Sequence, residues 1–163
     1  MPSGGSVGNF LLPKIGLVES SVHLRFPAAP EYLQPLRGLG EKLFAVWLPG
    51  SADSSEAYEI LLALQEAVTN VIRHAYKGNG GDVEVTFRFR GEEVEIEIRD
   101  WGAPFDPEKV PTPDFEHPSP GGYGVFIMRK VTDRLEFRRD GEVNIAQLTK
   151  KFPASPHLEE KAR

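Results

Sequence analysis

LALQEAVTNVIRHAY, residues 62–76, predicts the helix around which the rest of this chain is expected to fold. Glu66, Asn70 and His74 recur there every four residues, so they form a polar stripe along one side of the helix. Apolar residues recur at helical spacing and predict a second, buried face. They are Ile60, Leu61, Leu64, Val68, Val71, Ile72 and Ala75. One helix therefore carries a core-facing side and a side available for chemistry.

The polar stripe has two interpretations. The simpler one is a solvated helix face, with His74 placed favourably near the negative end of the helix dipole. The other is a ligand-binding stripe, since Ala63 and Ala67 lie between the two faces and their small side chains leave room for a cleft. The helix alone does not decide between them, because short motifs often match by chance.

Size and composition favour one domain in the cytoplasm. The chain has 163 residues, 40% of them hydrophobic, which suits one core rather than two. Its formal net charge of -5 argues against a nucleic-acid partner. Cysteine is absent, so disulfides, thiolate metal sites and a cysteine nucleophile are excluded. Pro13 and Lys14 interrupt the apolar N-terminal patch, and no apolar run reaches the roughly 18 residues of a spanning helix, so no membrane association is expected.

Periodic patterns predict two more helices and five strands. Helical spacing of apolar residues places the additional helices at 31–48 and 125–131. Alternation of apolar and polar residues predicts strands at 22–26, 83–90, 94–99, 135–138 and 143–152. The second and third of these strands are expected to form an antiparallel hairpin with one buried face.

Capping residues and composition set the expected boundaries. Asp53, Ser54 or Ser55 can cap the central helix, and Gly78 is expected to end it. Residues 1–20 are expected to be a flexible N-terminal segment, although Phe10 to Leu12 could dock on a partner. Residues 21–152 would form the folded domain, and the polar residues 153–163 a loose tail.

A proline-rich loop separates the predicted hairpin from the last helix. Residues 103–120 hold six of the fourteen prolines in the chain, which leaves little room for regular structure. A loop of this length is uncommon in a compact domain unless it covers a site or is disordered. We interpret it as a lid, with a plain surface excursion as the alternative.

Two short motifs flank this loop. Asp100 follows the third predicted strand, and Gly102 lies two residues later; such an acid can accept a hydrogen bond from an exocyclic amine like that of adenine. The same pair is also ordinary turn chemistry. GGYG, residues 121–124, leads directly into the last helix, where backbone amides could cradle phosphates or the glycines could simply open the helix. Neither a Walker loop nor a Rossmann fingerprint is present.

The order of the motifs resembles that of the GHKL ATPases. In those proteins Glu66-x-x-x-Asn70 would be the N box, and Asp100-x-Gly102 and Gly122-x-Gly124 the two glycine boxes. The similarity is greatest to bacterial anti-sigma-factor serine kinases, through LALQEAVTNVIRHAY, IRDWGAPFDP and GGYGVFIMRKVTDRLEF, and it covers about residues 20–152. It implies an α/β two-layer sandwich, with helices packed on one face of a mixed, mostly antiparallel sheet and a nucleotide between sheet, helices and lid.

The resemblance also implies roles for individual residues. Glu66 would be the general base, Asn70 would hold Mg²⁺, Asp100 would bind the adenine amine of ATP, and Gly102 would allow the base to approach. The residues expected around the phosphates are Arg73, His74, Gly121, Gly122 and Gly124. These roles suit phosphoryl transfer, which needs positioning, charge neutralisation and one carboxylate near the incoming hydroxyl.

The implied function is a protein-serine kinase that is also an anti-sigma factor. Its substrate would be a serine of a STAS-type anti-anti-sigma protein, its other partner a sigma factor, and its assembly a homodimer. Two alternatives stay open at this stage. One is an ATP-binding regulatory module with little or no turnover. The other is the catalytic part of a histidine kinase, against which stands the lack of an upstream helical hairpin with a phospho-accepting histidine.

Some positions depart from the family pattern. Where members often carry a lid arginine, the lid here offers only Lys109 and His117 as cations. Val143 and Asn144 stand where the last strand usually has Gly-Thr. Residues bulkier than usual lie around the second glycine box: Tyr123 and Phe126. These departures are compatible with nucleotide binding and put turnover in question.

Overall fold

The computed structural model describes residues 19–110, 116 and 122–153, which form two layers. One layer is a five-stranded sheet in the order β1-β2-β3-β5-β4, and every described strand pair is antiparallel. The strands are β1 (Ser20–Pro27), β2 (Asp82–Arg90), β3 (Glu93–Asp100), β4 (Arg134–Asp140) and β5 (Val143–Lys151). The second layer contains the helices α1 (Leu33–Trp47), α2 (Ser55–Asn70) and α3 (Tyr123–Val131). The predicted sandwich is confirmed, with an antiparallel rather than a mixed sheet among the described strands.

Short elements complete the described chain. Two 3₁₀ turns are described. Pro30–Tyr32 precedes α1, and Pro107–Lys109 lies near the start of the predicted lid. The segments outside residues 19–153, which include Phe10 to Leu12, lie outside the described residues, as do half of the lid, His117 among it, and Gly121. None of the helices in the described ranges is long and apolar enough to cross a membrane.

The core lies between the sheet and the helices. Alternate residues of β2 and β3 face the helices and are at most 3% exposed, namely Val83, Val85, Phe87, Phe89, Val94, Ile96 and Ile98. Phe44 of α1 is fully buried and meets Phe89 and Phe152 edge to face, at centroid distances of 6.1 and 5.8 Å. Burial of one such side chain stabilises the fold by about 1.5–3 kcal/mol. The predicted hairpin with one buried face is thus confirmed and gives α2 a rigid floor.

The central helix begins as predicted and ends differently. Ser54, one of three candidate caps, accepts a hydrogen bond from Ala57 N through its hydroxyl at 3.2 Å. The α-helix stops at Asn70 rather than continuing to Gly78, and one π-helical turn, Val71–Ala75, follows it. A π turn holds an extra residue, so it widens the helix locally and is frequent at functional sites. No pattern in the sequence revealed this turn.

The outer face of the sheet, away from the helices, carries paired charges. Glu97 on β3 is only 4% exposed and lies between three guanidinium groups, which we call the Glu97 cluster. Its carboxylate is 2.8 Å from Arg99, 3.2 Å from Arg138 and 3.4 Å from Arg88. Burial raises the pKa of Glu97, but the hydrogen bonds and positive charge of Arg88 and Arg99 outweigh it and hold the pKa below its ordinary value.

Candidate functional site

A cavity of about 70 Å³ opens between the helices and the end of the sheet. Separated segments of the chain line it. Ala67, Asn70 and His74 come from α2 and the π turn, while Asp100 comes from the end of β3. The start of the lid, α3 and the β4–β5 pair also contribute, through Phe105, Met128, Phe137 and Asn144 among others. Two residues of the predicted stripe, Asn70 and His74, thus line a cleft, and Glu66 is not among the lining residues. Ala67 makes room for the cleft, whereas Ala63 is buried in the core.

Asp100 is buried at the inner end of this cavity, at 6% exposure. Its Oδ1 accepts hydrogen bonds from Gly102 N at 2.9 Å and from Asn144 Nδ2 at 2.8 Å. Its Oδ2 has no hydrogen-bond partner among the described residues. One carboxylate oxygen is therefore fixed by the protein, and the other can accept a hydrogen bond from a ligand.

The turn after Asp100 is packed against the end of the central helix. A methyl group on Gly102 would lie 2.5 Å from the carbonyl oxygen of Ala75, so only glycine fits there. Ala103 N donates to the same carbonyl at 2.8 Å. Tyr76 adds a second anchor, because its hydroxyl accepts from Trp101 N at 3.0 Å and donates to Asp82 O at 2.7 Å. The close approach seen at Gly102 is thus to the π turn.

The start of α3 lies directly on the polar stripe. A methyl group on Gly124 would be 2.9 Å from Glu66 Oε2 and 3.2 Å from Asn70 Oδ1. Gly122 precedes the helix with a φ of 86°, a conformation that favours glycine. The first amides of a helix have no partner within it and carry partial positive charge. The second glycine motif therefore brings anion-binding amides next to Glu66 and Asn70, while Gly121 lies outside the described residues.

The stripe residues have no side-chain partners in the part of the chain that the structure describes. Glu66, Asn70 and His74 make no side-chain hydrogen bond or ion pair with any residue in the described ranges, although Glu66 and Asn70 are half-buried. Arg73 is exposed and is not among the residues that line the cavity. The structure therefore brings Asn70 and His74 to the cleft, sets Glu66 beside Asn70 against the start of α3, and leaves Arg73 in solvent.

The donor set fits a magnesium-bound nucleotide better than a bare metal ion. Within the described part of the chain, no three His, Cys, Asp or Glu side chains are grouped to hold a metal ion. The amide oxygen of Asn70 is a hard ligand of the type that Mg²⁺ accepts when phosphates and water supply the other positions. Asp100 Oδ2, which has no hydrogen-bond partner among the described residues, is chemically suited to accept from the amine of a base, and the helix start at Gly124 is suited to phosphates.

Several lining residues were missed by the sequence analysis. Phe105 at the root of the lid packs on Phe137 of β4, with ring centroids 5.1 Å apart, and both side chains line the cavity. Arg138 and Ile145 also line it. Alternation in β4 could have put Phe137 on the helix side, but only the strand order brings β4 and β5 beside Asp100. The lid cation Lys109 is 83% exposed and pairs with Asp106 at 3.0 Å, away from these residues.

Comparisons with known proteins identify the family of this fold. The family profile of the histidine kinase-like ATPase domain matches residues 26–150. The serine-protein kinase RsbW of Oceanobacillus iheyensis is 30% identical over 138 residues, which are 76% of this chain and 82% of that protein. The serine-protein kinase RsbW of Staphylococcus epidermidis is 28% identical over 137 residues, 78% of this chain and 84% of that protein.

One solved structure shows the same fold. It is the crystal structure of the RsbU and RsbW domains of Rv1364c from Mycobacterium tuberculosis, with a TM-score of 0.58 and 17% sequence identity. The match covers 81% of this chain and 32% of that chain, so the present chain spans about a third of the longer protein. At this identity the likeness concerns the fold alone.

Proposed function

The chain belongs to the histidine kinase-like ATPase family, among the GHKL anti-sigma kinases, and on that premise we propose that it is an ATP-dependent protein-serine kinase. Its substrate would be a serine of a STAS-type anti-anti-sigma protein. Its second partner would be a sigma factor, which the kinase sequesters in the cytoplasm as a homodimer. The two relatives are serine-protein kinases, which supports the serine specificity of this proposal.

The observation that carries the proposal is the state of Glu66. This carboxylate is half-buried, has no ion-pair or hydrogen-bond partner in the described ranges, and lies against the first turn of α3 next to Asn70. A half-buried carboxylate that no cation neutralises within the described ranges is typical of a group that acts on a ligand. It is well placed to remove a proton from a hydroxyl that approaches bound phosphates.

The residues of the site have distinct parts in the proposed reaction. ATP supplies the phosphoryl group, and Mg²⁺ neutralises charge on its phosphates when it is bound. Asp100 accepts a hydrogen bond from the adenine amine through Oδ2, and Asn70 offers its amide oxygen to the metal. The amides at the start of α3, around Gly122 and Gly124, bind phosphate oxygens.

Glu66 acts on the incoming hydroxyl. As the serine oxygen forms its bond to the terminal phosphorus, the bond from that phosphorus to the bridging oxygen breaks, and ADP leaves with the bond electrons. The serine proton passes to a carboxylate oxygen of Glu66, from which solvent removes it. Phe105, packed on Phe137 at the cavity, excludes water from the end of the cavity where adenine binds.

Transfer to a STAS-type partner tests the proposal directly. We expect the purified chain to move the labelled terminal phosphate of ATP to a serine of that partner, giving an acid-stable product, and to stop when magnesium is chelated. An acid-labile product would instead identify phosphohistidine, as expected for the catalytic part of a histidine kinase. No transfer to any STAS partner encoded nearby, despite ATP binding, would contradict the kinase assignment.

A regulatory module without turnover is the second candidate. Two observations favour it. Lys109 is exposed and pairs with Asp106, and Asn144 stands at the position on the last strand where family members usually carry threonine. A Glu66→Ala variant separates the two readings. Under the kinase proposal this variant binds ATP and loses transfer. If the variant still binds and releases the sigma factor at the same rates as the native chain, the protein is a regulatory binding module.

A further inference from the structure

A polar row crosses three strands at the end of the sheet. In the β3–β5 ladder Asp100 pairs with Asn144, and in the β4–β5 ladder Asn144 pairs with Arg139. Directly paired residues of antiparallel strands share one face of the sheet. Asp100, Asn144 and Arg139 therefore lie side by side, on the face that carries the cavity.

Hydrogen bonds join the row in one direction. Arg139 Nη1 donates to Asn144 Oδ1, and Asn144 Nδ2 donates to Asp100 Oδ1 at 2.8 Å. A guanidinium group has donors only, so it fixes the amide oxygen toward β4 and the amide nitrogen toward Asp100. Arg139 thus determines which end of the amide the carboxylate meets.

The amide nitrogen has no proton left for a ligand. Besides its bond to Asp100, Asn144 Nδ2 donates to Ala103 O at 3.0 Å, and Gly102 O lies at 3.4 Å. Asp100 Oδ1 is in turn occupied by Asn144 and by Gly102 N. At this end of the cavity the row therefore leaves one acceptor, Asp100 Oδ2, and no free donor from its own amide.

We propose that Asn144 and Arg139 are positioning residues that make the site select adenine over 6-oxopurines. This inference rests on the proposed nucleotide site, whose base specificity these two residues would determine. With Oδ1 held by two donors, Asp100 presents Oδ2 as a fixed acceptor, which matches a 6-amino group and repels a 6-oxo group. Asn144 also ties the Ala103 carbonyl to β5, so the turn and the carboxylate keep one arrangement.

The test compares ATP with inosine triphosphate, which carries oxygen in place of the 6-amino group. Affinities of the full chain for both nucleotides with magnesium are measured by calorimetry. We expect the native chain to prefer ATP by about 10-fold to 100-fold, the range for a hydrogen bond to a charged group. Asn144→Asp keeps the shape of the side chain but replaces the donor with a second carboxylate, and it should remove most of this preference.

Arg139→Met should lower the preference by about threefold, since the amide keeps its bond to Asp100 but loses the group that orients it. The matched control is Arg134→Met, on the same strand, where the arginine pairs with Glu136 instead. It should leave the ratio of affinities unchanged. Thermal unfolding of each variant reports stability separately, and a loss of stability alone would not move this ratio.

The outcomes separate the inference from the function beneath it. If the native chain prefers ATP and Asp100→Asn abolishes the preference, while Asn144→Asp and Arg139→Met retain it, the positioning role is wrong and the nucleotide site stands. If the native chain binds neither nucleotide, both the site and the inference fall.

Discussion

Two glutamates, one on the outer face of the sheet and one on helix α2, have opposite surroundings. Glu97, on the outer face, is 4% exposed and meets three arginines. Glu66, on the helix side, is half-buried and meets no cation in the described ranges, only the start of α3 and its glycine. The protein supplies every partner that Glu97 needs, so its charge is structural. No cation in the described ranges pairs with Glu66, and such a carboxylate is typical of a site that binds a ligand.

The largest effect on phosphate transfer should come from changing the carboxylate of Glu66 to an amide. Glu66→Gln should lower the rate of phosphate transfer by about 10²- to 10⁴-fold, the range for a general base, with little change in ATP affinity or melting temperature. Initial rates with a STAS partner measure this. Glu97→Gln is the control and should keep the rate per folded molecule. Normal transfer by Glu66→Gln would show that another group takes the proton.

The contact between α3 and the stripe can be tested at Gly124. An added methyl group would displace Glu66 Oε2 and Asn70 Oδ1, so Gly124→Ala should lower the efficiency of transfer by about 10- to 100-fold. Stability should hold or rise, since alanine favours a helix over glycine by about 1 kcal/mol. Activity and stability would thus change in opposite directions.

Gly38→Ala is the matched control in α1, because a methyl group there meets nothing within 4 Å. It should raise the free energy of unfolding and leave transfer rates unchanged. Equal rates for Gly124→Ala and the native chain would mean that α3 does not bear on the reacting groups.

A smaller and purely structural effect is expected on the outer face. Glu97→Gln removes the anion shared by Arg88, Arg99 and Arg138, which are partly exposed, so the free energy of unfolding should fall by about 1–3 kcal/mol. Urea unfolding near neutral pH measures the difference.

The same variant has a pH signature. Because the pKa of Glu97 is lowered in the folded protein, its stabilising contribution is present above the ordinary glutamate pKa of about 4.3 and is lost as the pH falls through the depressed value. The stability gap between the native chain and Glu97→Gln should therefore narrow on acidification. A gap that stays constant down to about pH 3 would contradict the ion-pair account.

Local patterns predicted the two layers well. Alternation in β2 and β3 identified their buried faces, and the spacing in α2 identified both its core side and its stripe. Ser54 was among the predicted caps. These features depend on neighbours in sequence, which is why the sequence carries them.

Features that depend on long-range placement were not predictable. The π turn after Asn70 arises where the helix end meets the turn at Gly102, which no periodicity records. The cavity roles of Phe137 and Asn144 depend on the strand order, which sets β5 between β3 and β4. The roles of all the predicted site residues stay predictions. For two of them the structure adds no support, since Arg73 lies outside the cavity lining and Gly121 lies outside the described residues.

Calorimetry of the native chain with ATP and magnesium, repeated with Asp100→Asn, tests the central claim most directly. If α2, the turn after β3 and the start of α3 together bind one nucleotide, the native chain gives a single-site heat of binding. The variant, which offers an amide beside the amide of Asn144, then binds at least about tenfold more weakly. Absence of heat from the native chain, or equal affinities for the two proteins, would contradict the account.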